Sequence, residues 1–353
     1  MKILIVKLGA IGDVIMAMPL VGAIRRRDPR AEIVWMCGEA AAPLIAELDR
    51  VEPLVVSEAA LLGGSPARKI RAVAAAWRRL LGRRFDLIIT GYSDRRYRLL
   101  SLAARARERR GFDRGGGRWW PTPGRYHGDE YVRLFLNRDG PEAGLAELPQ
   151  IDVAPPPELR STLAGLGLGR GVIALAPGGA RNALGDSPLR RWPLASYARL
   201  AAELARRGWR IALTGAAADG WTRAAFEKIP VADLIGKTTL VDLIAVYRAC
   251  GAVVTHDSGP MHLAILAGAP TVALFGPTLP SEKVPRSDKI RVLHGGAGLP
   301  CRPCYDGRTY APCRDNRCLG EIAPAAVADA VEELIGPAEV RAPGRVSQLV
   351  PGF

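Results

Sequence analysis

The residues best placed to do chemistry come early in the chain. An apolar run at residues 3–6 leads through Lys7 and the glycines Gly9 and Gly12 to Asp13, and an apolar stretch follows. This reads as a strand, a glycine turn and a helix, the plan of a pyrophosphate-binding loop. Here, however, a carboxylate stands where backbone amides and a helix N-terminus would welcome an anion. Asp13 has two readings: a base aimed at something other than phosphate, or a cap for its own helix that suits the helix dipole.

Two later segments are built for anions. In residues 253–277 a buried run ends at Thr255, and Asp257, Ser258 and Gly259 precede Pro260, which fits a first helical position. Amides around Ser258, Gly259 and Met261 would point into a cleft, with His262 in the first turn either reaching a phosphate or leaving oxygen or simply packing. In residues 173–204 a strand meets Gly178 and Gly179, then a basic loop with Arg181, Arg190 and Arg191 ahead of Trp192 and Pro193. Small residues let a phosphate approach the backbone, and a guanidinium pairs with its oxygens. A further turn carries Thr214, Gly215 and Asp219, whose acid suits either a ribose hydroxyl or a helix cap.

Apolar runs at residues 3–6, 33–37, 87–90, 172–176, 210–214, 252–255, 271–275 and 290–293 alternate with helical patterns, which predicts α/β domains built on parallel sheets. The VAPPP segment at 153–157 is the best linker, because consecutive prolines stiffen the chain and cannot pair in a sheet. After it the cycle starts afresh. At 353 residues the chain fits two Rossmann-like domains, 1–155 and 156–335, with an interdomain cleft and a tail at 336–353. A last helix is expected over 323–335. The loop at 113–128, with Trp119, Trp120, Tyr126 and His127, suits a sugar acceptor or a surface loop with packed indoles.

The net charge is +14, and residues 1–150 hold 26 Lys and Arg against 17 Asp and Glu. Such a surface attracts nucleic acid, an anionic membrane or a phosphorylated substrate, or is ordinary solvated arginine. No nucleic-acid-binding motif is present. No apolar run spans a bilayer and the N-terminus lacks a signal-peptide pattern, so a cytoplasmic protein is expected. Four of six cysteines, Cys301, Cys304, Cys313 and Cys318, share one segment. Their spacing leaves three readings: a structural zinc knuckle, reduced thiols or a redox bridge.

Taken in order, KLGAIGDVIMAMP, PGG…LRRWP and THDSGPMHLA resemble the heptosyltransferase family, glycosyltransferase family 9, over nearly the whole chain. The resemblance implies a GT-B architecture, with the acceptor on the first domain and a nucleotide sugar, ADP-heptose above all, on the second. It implies transfer with inversion, no required cofactor, and a glycolipid acceptor of lipopolysaccharide type at the inner face of the inner membrane. Asp13 falls on the family's base, with Lys7 and Gly12 beside the acceptor. Arg190 stands where a lysine usually binds the donor phosphates. Asp257, Ser258, Gly259 and His262 match the donor motif, and Gly178, Gly179, Thr214 and Gly215 complete the donor set. A nucleotide-sugar epimerase of similar architecture is the alternative enzyme.

Overall fold

The computed structural model describes residues 1–113, 120–138, 144–165, 171–182, 185–305 and 309–338. Trp119 and positions 339–353 of the expected tail lie outside them. The first half builds a five-stranded parallel sheet from β1 (Lys2–Val6), β2 (Glu32–Gly38), β3 (Val51–Val56), β4 (Arg84–Thr90) and β5 (Arg105–Gly111), in the order β3-β2-β1-β4-β5. The second half begins with β6 (Val172–Ala176) and a small antiparallel hairpin, β7 (Arg181–Asn182) with β8 (Gly185–Asp186). It continues with β9 (Arg210–Leu213), β10 (Val231–Asp233), β11 (Ala252–His256), β12 (Thr271–Phe275) and β13 (Ile290–His294). Its six-stranded sheet runs β10-β9-β6-β11-β12-β13. Both sheets therefore reverse direction beside their first strand, and a crevice opens there at the strands' carboxyl ends.

All eight expected strands are present. Apart from the hairpin β7–β8, the three strands that the apolar runs do not reveal, β3, β5 and β10, are edge strands. An edge strand needs little apolar sequence: β3 carries Pro53, and β5 reads RARERRG. The arginines at 105–110 thus lie in a strand, where Arg109 reaches back to the Ser101 and Ala104 carbonyls.

The central strands β1, β6, β11 and β12 are fully or almost fully buried, as continuous apolar runs between helical layers should be. One apolar cluster joins the halves: Val14, Met18 and Leu44 of the first lie with Leu243, Leu263 and Leu266 of the second. Residues 144–156 connect the halves without helix or strand. Asp129 pins this segment by accepting from the Gly144 and Ala146 amides at 2.9 and 2.8 Å.

Trp35 of β2 has one structural duty that bears on the site. Its fully buried indole donates to the Lys7 carbonyl (3.0 Å), and the Lys7 amide donates to Met36 (3.1 Å). Trp35→Phe removes the pyrrole part of the ring and leaves a buried carbonyl unpaired, and should cost at least about 1 to 3 kcal/mol in urea unfolding. An unchanged midpoint would show that this bond does not hold the turn.

Candidate active site

Lys7 leaves β1 pointing into the first crevice and is almost wholly buried. Its ammonium donates to the Gly91 carbonyl (3.4 Å), lies 4.0 Å from the centre of the Tyr92 ring and 5.6 Å from that of Tyr131, and pairs with Asp13 Oδ2 at 3.3 Å. Burial works against its charge, yet the neighbouring carboxylate holds its pKa well above the ordinary lysine range. Tyr92 fixes the rest of the turn, accepting from the Leu8 amide (3.0 Å) and donating to the Gly9 carbonyl (3.0 Å).

The helix Ile11–Ala17 is capped by Ala10 without any side-chain bond. Asp13 therefore sits in the first turn but does not act as the N-cap, and its carboxylate, 40% exposed, looks into the cleft beside Lys7. Burial pushes its pKa up, but Lys7 and Lys283 outweigh that and bring it down to about 2. Because the folded pKa lies below the unfolded one, the ionised form favours folding above the ordinary carboxylate range, and that contribution fades as pH falls toward 2.

The facing wall comes from the second sheet. Asp257, at the end of β11, accepts from Thr278 (2.8 Å) and lies 3.6 Å from the Arg190 guanidinium. Arg190 Nε is buried with no hydrogen-bond partner among the described residues. Ser258 caps the helix Gly259–Leu266 in extended conformation, its hydroxyl donating to the His256 carbonyl (3.1 Å). The Met261 amide closes this first turn onto the Ser258 carbonyl (3.1 Å), so it is not available to an anion.

Gly12 and His262 bring the two walls together. A Cβ on Gly12 would lie 2.3 Å from His262 Cδ2, so only glycine lets the two helix starts meet. Burial brings His262 down to about 4, against the pull of Asp257 and Asp13, and it is a neutral imidazole at physiological pH. Its ring packs on the turn that carries Asp13.

The Gly178-Gly179 turn is arranged differently from the expected open phosphate cradle. The Gly179 amide donates to Asp219 Oδ1 (3.0 Å), and its carbonyl accepts from Arg191. Gly179 is left-handed (φ +78°), and a Cβ there would press on Ser258 at 3.3 Å. Asp219 takes the capping role, since its other oxygen accepts from the Ala216 amide (2.9 Å) ahead of the 3-10 helix Ala217–Phe226. Thr214 is fully buried, and its hydroxyl bonds with Tyr247 (2.9 Å) and the Leu175 carbonyl (3.3 Å). It therefore supports the turn from below, and Gly215 backs onto Asp219.

Three further residues belong to the cleft: Lys283 and Glu58, which no motif announced, and His127, from the loop expected to suit a sugar acceptor. Lys283, from the short helix Pro280–Lys283, lies 3.4 Å from His127 Nδ1 and in the field of both Asp13 and Asp257. His127 opens the helix His127–Leu136, and burial lowers it to about 3. Glu58, half-buried, fills the space that side chains on Gly9 and Gly38 would need, and makes no hydrogen bond or ion pair among the described residues. Burial raises its pKa. In the 113–128 loop, Trp120 is partly exposed, with its carbonyl held by Arg133 (3.2 Å), and Tyr126 is buried.

All four thiols of the cysteine segment are free, with Cys301 and Cys313 exposed. Among the described residues no group of His, Cys, Asp and Glu is placed to hold a metal ion. Nor is any described helix long and apolar enough to cross a membrane.

Two parallel sheets whose crevices face each other across a packed seam define a GT-B glycosyltransferase architecture. The sequence profile of glycosyltransferase family 9 (heptosyltransferase) matches residues 73–313. The chain belongs to that family and is a glycosyltransferase. It is 29% identical to lipopolysaccharide heptosyltransferase 2 of Salmonella typhimurium over 326 residues, 83% of this chain and 88% of that protein. It is 28% identical to lipopolysaccharide heptosyltransferase 1 of Pseudomonas aeruginosa, over 91% of each. With lipooligosaccharide heptosyltransferase 2 of Haemophilus influenzae the identity is 37%, over 36% of this chain and 38% of that protein. Among solved structures, the fold is similar to that of Escherichia coli ADP-heptose lipopolysaccharide heptosyltransferase II (TM-score 0.69, 24% identity, 95% and 98% of the two chains). A family 9 glycosyltransferase from Veillonella parvula gives a TM-score of 0.72 at 22% identity, over 95% and 97%.

The Lys7–Asp13 pair sets a pH prediction. In the wild type, sugar transfer should show no loss from Asp13 protonation between pH 4 and 7. Lys7→Met removes the charge that offsets burial, so the acid limb of kcat/KM should move up by about two pH units or more. A variant whose profile stays flat over pH 4 to 7 would mean that Lys7 does not tune Asp13.

Proposed function

We propose that this chain moves a heptose from ADP-heptose to a sugar hydroxyl of a lipopolysaccharide core or similar glycolipid, with inversion and without a required metal. The observation that carries the reading is Asp13, held ionised by Lys7 and opposed across the cleft by the Arg190–Asp257 pair and the Ser258-capped helix. The acceptor lies on residues 1–155 and the donor on residues 156–335, at the cytoplasmic, inner face of the inner membrane. Family membership and the heptosyltransferase relatives support this assignment.

In the displacement, the acceptor oxygen forms its bond to the anomeric carbon as the bond from that carbon to the diphosphate oxygen breaks. The breaking bond's electron pair leaves on the nucleoside diphosphate, and the acceptor proton passes to Asp13. A carboxylate with so low a pKa is a weak base, but positive charge developing on the sugar acidifies the attacking hydroxyl. Arg190, the amides of Ser258 and Gly259, and Lys283 face the growing negative charge on the leaving oxygens. One well-placed donor of that kind is worth about 3 to 4 kcal/mol. Neutral His262 can donate a hydrogen bond there, and Gly178 and Gly179 keep the turn slim behind the phosphates. Glu58 and Gly12 shape the acceptor side, where a carboxylate suits sugar hydroxyls.

The test is product analysis by NMR with ADP-heptose, alone and with a heptose-bearing core oligosaccharide. Transfer dependent on the oligosaccharide, giving the opposite anomeric configuration, is expected. Epimerised sugar formed from donor alone would instead assign the epimerase reaction.

A further inference from the structure

One face of the first half is at odds with a solvated surface. Among the described residues, eight large hydrophobic side chains are exposed, and five lie together: Ile70, Trp77, Leu81, Leu99 and Leu102, with Ile70 69% and Leu81 75% exposed. The first three belong to the helix Pro66–Leu80 and its end, and the Trp77 indole joins them to the others by donating to the Leu99 carbonyl (2.7 Å).

The helix has two distinct faces. Ala76 and Leu80 are buried against the sheet. On the outside, Ile70, Trp77 and Leu81 fall at i, i+7 and i+11, an apolar stripe about 16 Å long. Beside it run Arg71 and Arg78, again seven residues apart, with Arg68 and Lys69 at the N-terminal end. The side chains of these four cations make no hydrogen bond or ion pair among the described residues, and neither does that of Arg95 in the adjoining helix Arg95–Leu99. Residues 66–84 hold seven Lys and Arg and no Asp or Glu. Free cations flanking an exposed Trp, Ile and Leu stripe make the pattern of a helix lying in a membrane interface, its rings among acyl chains and its guanidinium groups on lipid phosphates.

We infer that the outer face of the helix Pro66–Leu80, with Leu99 and Leu102, docks this protein on an anionic lipid bilayer. Charge complementarity chooses the occupant: a neutral apolar partner would leave five unpaired cations at its rim, whereas anionic headgroups neutralise them. The place in the fold agrees. The preceding helix, Glu58–Gly63, starts at the cleft with Glu58, so the docking face is one short helix away from the acceptor opening. The surface goes beyond the proposed reaction but draws on its glycolipid acceptor for sense, and the test separates the two.

The full chain is sedimented with vesicles of phosphatidylcholine alone and of phosphatidylcholine with phosphatidylglycerol, at low and at physiological salt, without donor or acceptor. Binding to the anionic vesicles alone, weakening as salt rises, is expected. Ile70→Glu with Leu81→Glu, and separately Arg71→Glu with Arg78→Glu, should each weaken it at least about tenfold. Melting temperature and transfer to a soluble, delipidated oligosaccharide should stay as in the wild type. Equal binding to both vesicle types, wild-type binding by either double variant, or a dimer in sedimentation velocity that dissociates in the Ile70→Glu, Leu81→Glu variant would overturn the assignment. Loss of transfer with vesicle binding intact would count against the proposed reaction and leave the docking surface standing.

Discussion

A buried ammonium group is the constraint from which the rest of the site follows. Lys7 ends the first strand inside the crevice, where burying a charge without a partner would be prohibitive. The aromatic rings of Tyr92 and Tyr131 and the Gly91 carbonyl offset part of that cost, and Asp13 supplies the counter-charge. The requirement works in both directions. The lysine can be buried because the carboxylate is ionised, and the carboxylate stays ionised because the lysine cannot move away.

This pair also explains why the turn after β1 departs from a phosphate loop. The Tyr92 hydroxyl takes up its Leu8 and Gly9 amides and the Asp13 carboxylate repels anions, so phosphate chemistry belongs to the other wall. There, Arg190 balances Asp257 as Lys7 balances Asp13, and the charge of Lys283 acts on both carboxylates. The walls meet through Gly12 and His262, with no side chain on the glycine to hold them apart.

Much of this was legible before the fold. Strand-and-helix alternation located the central strands because they are buried on both faces, and the glycine turns marked both switch points. Edge strands escaped, since β5 has little apolar sequence to display and Glu52 and Pro53 interrupt the apolar run of β3. Asp13, Arg190, Asp257, Ser258 and His262 lie in recognisable local patterns. Lys283 and Glu58 do not, because each gains meaning only from what the chain lays beside it, whereas His127 belongs to the aromatic loop that the sequence did single out. The expected roles of Gly179 and Thr214 shifted for the same reason: Asp219 had claimed the Gly179 amide, and Tyr247 shared a bond with the Thr214 hydroxyl. Sequence spacing gives no warning of such competition for hydrogen bonds.

The central claim is that Asp13 accepts the acceptor's proton, and Asp13→Asn tests it most directly because it removes the base at nearly constant volume. As it also leaves the buried Lys7 ammonium without its counter-charge, the Lys7→Met, Asp13→Asn double variant is measured beside it. Single-turnover transfer, measured by rapid quench with ADP-heptose in excess, should fall by about 100-fold or more, while donor affinity by calorimetry stays within about twofold. Transfer at the wild-type rate with normal donor binding would contradict the account.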